Sequence, residues 1–193
     1  MKKKILKKLT FILSGVCLLA TLASCGSTGQ KDKEIVLDQL SSEAEYQFDT
    51  VSWGSTVAEV AYLTSTELIK DTTKEPFPEG YEIYNSEASY SLDGQSCNTS
   101  YEFQNNNLSL VTFDFPTLTE KDNEWIDSQI EKLNQLYGNE TDKIENENAE
   151  MHMKSTVYKW ETDQTMLQFT VITGPSGDPY AVIALVRKGE EIS

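Results

Sequence analysis

Two helical patterns, each followed by a group of short strand patterns, account for most of this 193-residue chain. The first helix is predicted over residues 56–69, where Thr56 and Glu59 have the spacing of a capping box. The second is predicted over residues 120–137 and ends at Gly138, because its apolar residues recur at helical spacing up to that glycine. Strands joined by short turns, with helices between the groups, predict an α+β fold in which both helices pack on one face of an antiparallel sheet.

The strand patterns form two sets, one on each side of the second helix. They are predicted at 81–92, 96–103, 108–115, 155–161, 165–173 and 179–188. Residues 139–154 are acidic and rich in asparagine, and their low apolar content predicts a long loop. We predict a single domain over residues 48–193. The recurrence of helix and meander also raises the alternative of a tandem repeat with halves 50–116 and 117–188.

The N-terminus has the pattern of a secretory signal peptide. A lysine-rich start precedes an apolar run over residues 9–20, which is shorter than a membrane-spanning helix needs. The sequence that follows, Leu22-Ala23-Ser24-Cys25-Gly26, resembles the bacterial lipobox, in which the cysteine thiol is diacylated before cleavage. The resemblance implies that residues 1–24 are removed and that Cys25 becomes the lipidated first residue. The alternative is an ordinary signal peptide that leaves Cys25 free.

Lipidation would anchor the protein on the extracytoplasmic side of the cell membrane. Two acyl chains anchor stably, since each buried CH₂ contributes about 0.8 kcal/mol. Residues 25–47 are polar and acidic and begin with small residues, so they are predicted to form a flexible tether. The apolar residues 35–37 with Leu40 interrupt this tether, and they predict an extra strand or a helical turn docked on the domain.

Charge and cysteine content exclude several classes of protein. The formal net charge is −15 at pH 7, and the predicted signal peptide contains lysines but no acid, so the mature chain is still more acidic. An acidic surface repels phosphates, and we expect no binding to nucleic acids. Cys17 leaves with the signal peptide and Cys25 is modified. Only Cys97 remains, which predicts a fold without an internal disulfide and a small buried hydrophobe at that position.

The sequence offers little for catalysis or metal binding. His152 is the only histidine, and it is predicted to be a loop residue without a catalytic role. We therefore expect a protein that is not an enzyme, with no catalytic residue, cofactor or metal ion. The 31 carboxylates keep one alternative open. This alternative is a carboxylate-dependent hydrolase or a carbohydrate-binding module acting on envelope polymers.

Residues 180–186 form a strand pattern whose two faces are both apolar. A sheet covered on one face would show polar residues at every second position, so the other face of this strand is expected to be covered as well. The cover is either the segment 35–40, a second copy of the chain, or a protein partner that docks near Tyr180, Val182 and Ile183. We predict these three residues as the candidate partner surface.

Three short motifs carry a further resemblance. They are Trp53 to Val60 at a helix start, Tyr101-Glu102-Phe103 leading to Asn106-Asn107-Leu108, and the helix end Leu136-Tyr137-Gly138. Over about residues 50–188 the chain resembles the small lipoprotein domains of the SmpA/OmlA (BamE-like) and β-lactamase-inhibitor-protein-like families. The resemblance implies a non-enzymatic domain that binds a protein partner, as an assembly factor, inhibitor or receptor. None of those families' functional residues is carried over to this chain.

Overall fold

The computed structural model describes residues 32–42, 45–73 and 77–189. The predicted signal peptide, the lipobox and Cys25 lie outside the described residues. The described chain is an α+β fold with a ten-stranded, mostly antiparallel sheet and two α-helices. Neither of these helices has the length and apolar character needed to cross a membrane.

The elements follow one another along the chain with few long connections. The helices are α1 (Val57–Thr64) and α2 (Asn123–Tyr137). The strands of the large sheet are β1 (Lys33–Glu34), β4 (Leu68–Lys70), β5 (Tyr81–Ser86), β6 (Tyr90–Leu92), β7 (Gln95–Gln104), β8 (Asn107–Phe115), β9 (Asp142–Asn148), β10 (Met153–Glu161), β11 (Thr165–Thr173) and β12 (Pro179–Arg187). A small hairpin pairs β2 (Ser41–Ser42) with β3 (Glu45–Tyr46). Short 3₁₀ turns occupy Leu37–Gln39 and Glu120–Asp122.

The first helix begins where the sequence predicts and ends earlier. The capping box is present, because the Thr56 hydroxyl accepts from the Glu59 amide and the Glu59 carboxylate accepts from the Thr56 amide. This backbone hydrogen bond lowers the pKa of Glu59. The helix ends at Ser65, whose φ of +50° is left-handed and terminates the hydrogen-bond ladder. The predicted range 56–69 is therefore too long, and its last residues belong to β4.

The second helix agrees with its predicted range of 120–137. A 3₁₀ turn at Glu120–Asp122 leads directly into α2, and Gly138 with a φ of +84° follows its last residue. Ile126, Gln129 and Leu133 are buried on one side of this helix. Their spacing of three and four residues forms the stripe that packs on the sheet.

The large sheet has the order β1-β6-β7-β8-β12-β11-β10-β9, and β5 pairs with β7 beside β6 while β4 extends β5. The two predicted sets of strands meet in the middle, where β8 and β12 pair antiparallel and place Phe113 opposite Ile183. The sheet is larger than the predicted packing of two helices on a simple sheet. Strands β1, β4 and β9 are additional, and the predicted strand 81–92 is divided into β5 and β6.

The region 139–154 corrects the prediction of a loop. Residues 142–148 form β9, which pairs antiparallel with β10 over its whole length. Every side chain of β9 is exposed except that of Ile144, which is half-buried. An edge strand of this kind is held by backbone hydrogen bonds to its neighbour, so it needs no apolar alternation and escapes detection by hydropathy.

The N-terminal segment also differs from the predicted tether. Strand β1 pairs parallel with β6, and the side chains of Ile35, Leu37 and Leu40 are buried. The docked helical turn predicted as one alternative is present as the 3₁₀ turn at Leu37–Gln39. From residue 32 onward, the described part of the predicted tether 25–47 therefore belongs to the folded domain. The free energy gained by burying its apolar side chains exceeds the conformational entropy lost when the segment is ordered.

One cluster of buried side chains forms the main core. It combines one face of the sheet with the buried residues of both helices and of the N-terminal segment. Its largest fully buried members are Trp160, Tyr101, Phe103, Phe113, Phe115 and Phe169. The helices thus share this face with the N-terminal segment, and the opposite face of the sheet is not part of the main core.

Candidate functional site

The predicted partner surface is divided between the two faces of β12. Ile183 is 0% exposed and belongs to the main core, opposite Phe113 on β8 and Phe169 on β11. Its prediction as a surface residue is wrong, because successive side chains of a strand point to opposite faces. Val182 and Tyr180 lie on the other face, which we call the second face.

The second face carries its own group of buried apolar side chains. Of the described residues, six buried hydrophobic ones lie outside the main core cluster, and their pairing places them all on the face that holds Val182. They are Ile83, Leu110, Val157, Ile172, Val182 and Ala184. Half-buried Met166 and Val186 lie beside them on β11 and β12. A layer of apolar side chains therefore extends from β5 to β10, with residues from five of the six strands in that part of the sheet.

Polar side chains on this face satisfy one another. The hydroxyls of Ser100 and Thr112 are 2.6 Å apart on β7 and β8, and the Gln168 amide donates to the Thr170 hydroxyl at 2.9 Å. The Tyr180 hydroxyl donates to a carboxylate oxygen of Asp114 at 2.8 Å. Polar groups that are already paired can be covered by another molecule at little desolvation cost.

Charges lie toward the β9 and β10 side of the second face. Lys159 is only 6% exposed, and its ammonium nitrogen is 3.7 Å from a carboxylate oxygen of Asp142 on β9. Glu161, two residues further along β10, pairs with Lys188 at 2.7 Å. The second face therefore combines an apolar centre with charged pairs near one edge, which is the distribution found at protein interfaces.

The segment 35–40 does not cover the second face. Ile35, Leu37 and Leu40 belong to the main core, and the Tyr137 hydroxyl on α2 donates to the Leu37 carbonyl oxygen. Among the described residues, neither helix and no part of the N-terminal segment contributes a buried side chain to the second face. The first of the covers considered from the sequence is thus excluded.

His152 and Cys97, the side chains considered for nucleophilic chemistry, lie in different parts of the fold. His152 is exposed in the turn between β9 and β10, and its φ is +50°. Cys97 is buried on β7, as predicted, and burial raises the pKa of its thiol to about 12. The described ranges contain no group of three histidine, cysteine or acidic side chains placed to hold a metal ion.

The sequence missed most of the second face because its signal is spread over several strands. Besides residues 180–186, strands β8 and β11 also have apolar residues at both odd and even positions, such as Leu110 with Val111 and Phe169 with Ile172. Reading these strands together would have predicted a sheet that is apolar on both faces. No family model, curated protein or solved structure matches this chain.

Proposed function

We propose that this protein is a lipoprotein anchored through Cys25 on the extracytoplasmic side of the cell membrane, and that it binds a protein partner without catalysing a reaction. The observation that carries the partner binding is the apolar second face. Six buried hydrophobic side chains lie there, apart from the main core, and no described helix packs on them. The half-buried Met166 and Val186 beside them provide apolar area that a partner would cover, and burial of apolar area drives protein association.

The fold supports a position close to the lipid. Asp32 already accepts a hydrogen bond from the Ser96 hydroxyl, and Lys33 pairs with Tyr90 in the sheet, so only residues 26–31 separate the proposed lipidated cysteine from the domain. An extended chain of this length spans at most about 25 Å. A partner of this protein would therefore meet it near the membrane surface, as a membrane protein or as an envelope protein that passes close to the membrane.

The mirrored strand order supports the proposed likeness to tandem helix-plus-meander domains. In each half a helix precedes a set of antiparallel strands, and the last strands of the two sets, β8 and β12, pair with each other. The SmpA/OmlA-like and β-lactamase-inhibitor-protein-like families remain our proposal for the type of domain, with an assembly factor, inhibitor or receptor as the class of function.

Site-specific photo-crosslinking in the native envelope tests the partner surface. A photoreactive amino acid is placed at Val186 on the second face, or at Tyr62, which is 83% exposed on α1 and serves as the matched control. We expect one stoichiometric crosslinked protein from position 186 and none from position 62. The substitution Met166→Lys, at the half-buried neighbour of Val186 on β11, should abolish that product, with retained folding shown by an unchanged circular dichroism spectrum.

Two outcomes would overturn the partner surface. One is the absence of a protein crosslink from position 186 in the native envelope, and the other is equal crosslinking from both positions. The second candidate function, a carbohydrate-binding module, is favoured by a separate observation at the edge of the sheet formed by β4 and β5.

A further inference from the structure

A pocket of about 330 Å³ lies where β4, β5 and the β7–β8 hairpin meet. It lies at the edge of the sheet formed by β4 and β5, and β7 and β8 separate β5 from β12 in the sheet order. Its lining combines aromatic rings, amides and one ion pair: Lys70, Phe77, Pro78, Gly80, Tyr81, Glu82, Asn105 and Asn106. Its volume is in the range of pockets that bind small molecules.

Two aromatic rings give the pocket an apolar wall. The rings of Phe77 and Tyr81 are 5.5 Å apart between centroids and tilted by 51°. Both residues are half-buried, so part of each ring remains accessible. Aromatic faces that are accessible in this way favour ligands with C–H groups on one side of a ring, because the ring face carries partial negative charge.

The polar wall is built by two adjoining turns. The Asn105 amide nitrogen donates to the Gly80 carbonyl oxygen at 2.7 Å, which joins the β7–β8 hairpin to the turn before β5. Asn105 and Asn106 both have positive φ, as a two-residue hairpin turn requires. A Cβ on Gly80 would lie 2.2 Å from the side-chain oxygen of Asn105, so the absence of a side chain at Gly80 allows this close approach.

The charges of the lining cancel. Lys70 and Glu82 form an ion pair at 2.6 Å, and no other charged residue lines the pocket among those described. On a chain with a net charge of −15, this neutral lining is unsuited both to a phosphate and to a cationic peptide. The side-chain amides of Asn105 and Asn106 make no hydrogen bond within the described chain, and each offers donors and an acceptor to a ligand.

We infer that this pocket binds a neutral saccharide. Sugar rings have apolar C–H faces that pack on Phe77 and Tyr81, and hydroxyl groups that pair with amides and with the Lys70–Glu82 pair. A charged ligand would have to compete with that ion pair, whereas hydroxyl groups can join it. The inference is separate from the partner surface, because none of the six buried residues of the second face lines the pocket and the ligand is of another class.

Titration of the full-length chain with chitobiose and with cellobiose tests the inference, with calorimetry for affinity and NMR for the asparagine side-chain amides. We expect binding of at least one disaccharide, with shifts of the Asn105 and Asn106 signals. Tyr81→Ala should weaken it about tenfold, as loss of a stacking aromatic does. Asn106→Gly keeps the favoured turn and should weaken disaccharide binding about fivefold.

The control is Tyr62→Ala, which removes an exposed tyrosine outside the pocket and should leave the affinity unchanged. If neither disaccharide shifts the two asparagine signals, the inference is wrong. It is equally wrong if Tyr81→Ala and Asn106→Gly both bind as the unmodified chain does. Neither result affects the crosslinking test of the second face, so the two proposals fail separately.

Discussion

Phe48 packs edge-on against Phe113, with 4.8 Å between the ring centroids and an angle of 71° between the rings. Phe113 lies on β8 in the middle of the sheet, whereas Phe48 belongs to the N-terminal segment. The Phe48 ring also contacts the ring of Tyr90 on β6, with 5.7 Å between the centroids. The chain before α1 is therefore anchored in the main core.

This contact predicts that Phe48→Ala destabilises the whole domain. Removing a buried phenylalanine costs about 3–5 kcal/mol, because apolar burial is lost and a cavity remains. Urea unfolding followed by tryptophan fluorescence measures the change. Val36→Ala is the control, since Val36 is 42% exposed in the same segment, and it should change the free energy of unfolding by less than about 1 kcal/mol. Equal effects of the two substitutions would show that the segment is not part of the core.

We predict that Asp93 makes the stability of the fold sensitive to acid. Its carboxylate accepts hydrogen bonds from Lys132 and Gln129 on α2, and the Lys132 hydrogen bond is the main reason why its pKa is lowered. A lowered folded-state pKa stabilises the fold above the unfolded-state pKa, and this stabilisation is lost as the pH falls through the folded-state value. Because both side chains of the ion pair are 44% exposed, we expect an effect below about 1 kcal/mol.

The measurement is urea unfolding of Asp93→Asn and the unmodified chain at about pH 6 and about pH 2.5. Asparagine also tolerates the left-handed φ of +47° at this position, so the turn is retained. The variant should be less stable at the higher pH and equally stable at the lower one. Asp163→Asn, at an exposed turn, is the control and should show no such convergence. A difference that persists at low pH would contradict the role of the charge.

Cys97 predicts a thiol that does not react in the folded protein. Burial raises its pKa to about 12, so almost no thiolate forms near pH 8, and the side chain is inaccessible. Iodoacetamide should modify Cys97 in urea and leave it intact in buffer over the same time. Mass spectrometry of the peptide that contains Cys97 measures both. Comparable modification without urea would show that β7 opens readily.

The sequence predicted α2 and most strands because their apolar spacing is regular and their turns have specific residues. Asp93 and Gly94 both have positive φ in the β6–β7 turn, as such a dipeptide favours. The predicted range of α1 extended too far, because Leu68 and Ile69 continue the apolar pattern although they lie in an edge strand. Hydropathy alone does not distinguish a helix from a strand in so short a segment.

The candidate surface could be predicted only in part. The sequence identified β12 as a strand with two apolar faces, and Val182 and Tyr180 do lie on the second face. Ile183 was included in the predicted surface because it is next to Val182 in sequence, but the side chains of residues 182 and 183 point to opposite faces of the sheet. The saccharide pocket was missed because β5 and the β7–β8 hairpin contribute residues that are far apart in sequence but adjacent in the sheet.

The proposed lipidation at Cys25 predicts labelling by a clickable palmitate analogue in the native cell. Cys25→Ala should abolish the label and leave an unprocessed chain that retains residues 1–24, since the lipid is attached before cleavage. Cys17→Ala is the matched control, because Cys17 lies in the predicted signal peptide, and labelling should be unchanged. Gel fluorescence and intact mass measure the two effects. Persistent label on the Cys25→Ala chain would exclude the lipobox interpretation.

Strand β9 predicts a difference in local stability within one sheet. Among the described strands it pairs with β10 alone, whereas β11 lies between β10 and β12 and has neighbours on both sides. An exposed edge strand opens without unfolding the core, so its amides should exchange with deuterium orders of magnitude faster than those of β11. Hydrogen exchange with mass spectrometry on peptides from the two strands measures this. Ile144→Asn should accelerate exchange in β9 further and leave β11 unchanged, because Ile144 is the one half-buried side chain of that strand. Equal protection of the two strands would mean that β9 unfolds only together with the core, and the polar edge would then contribute to global stability.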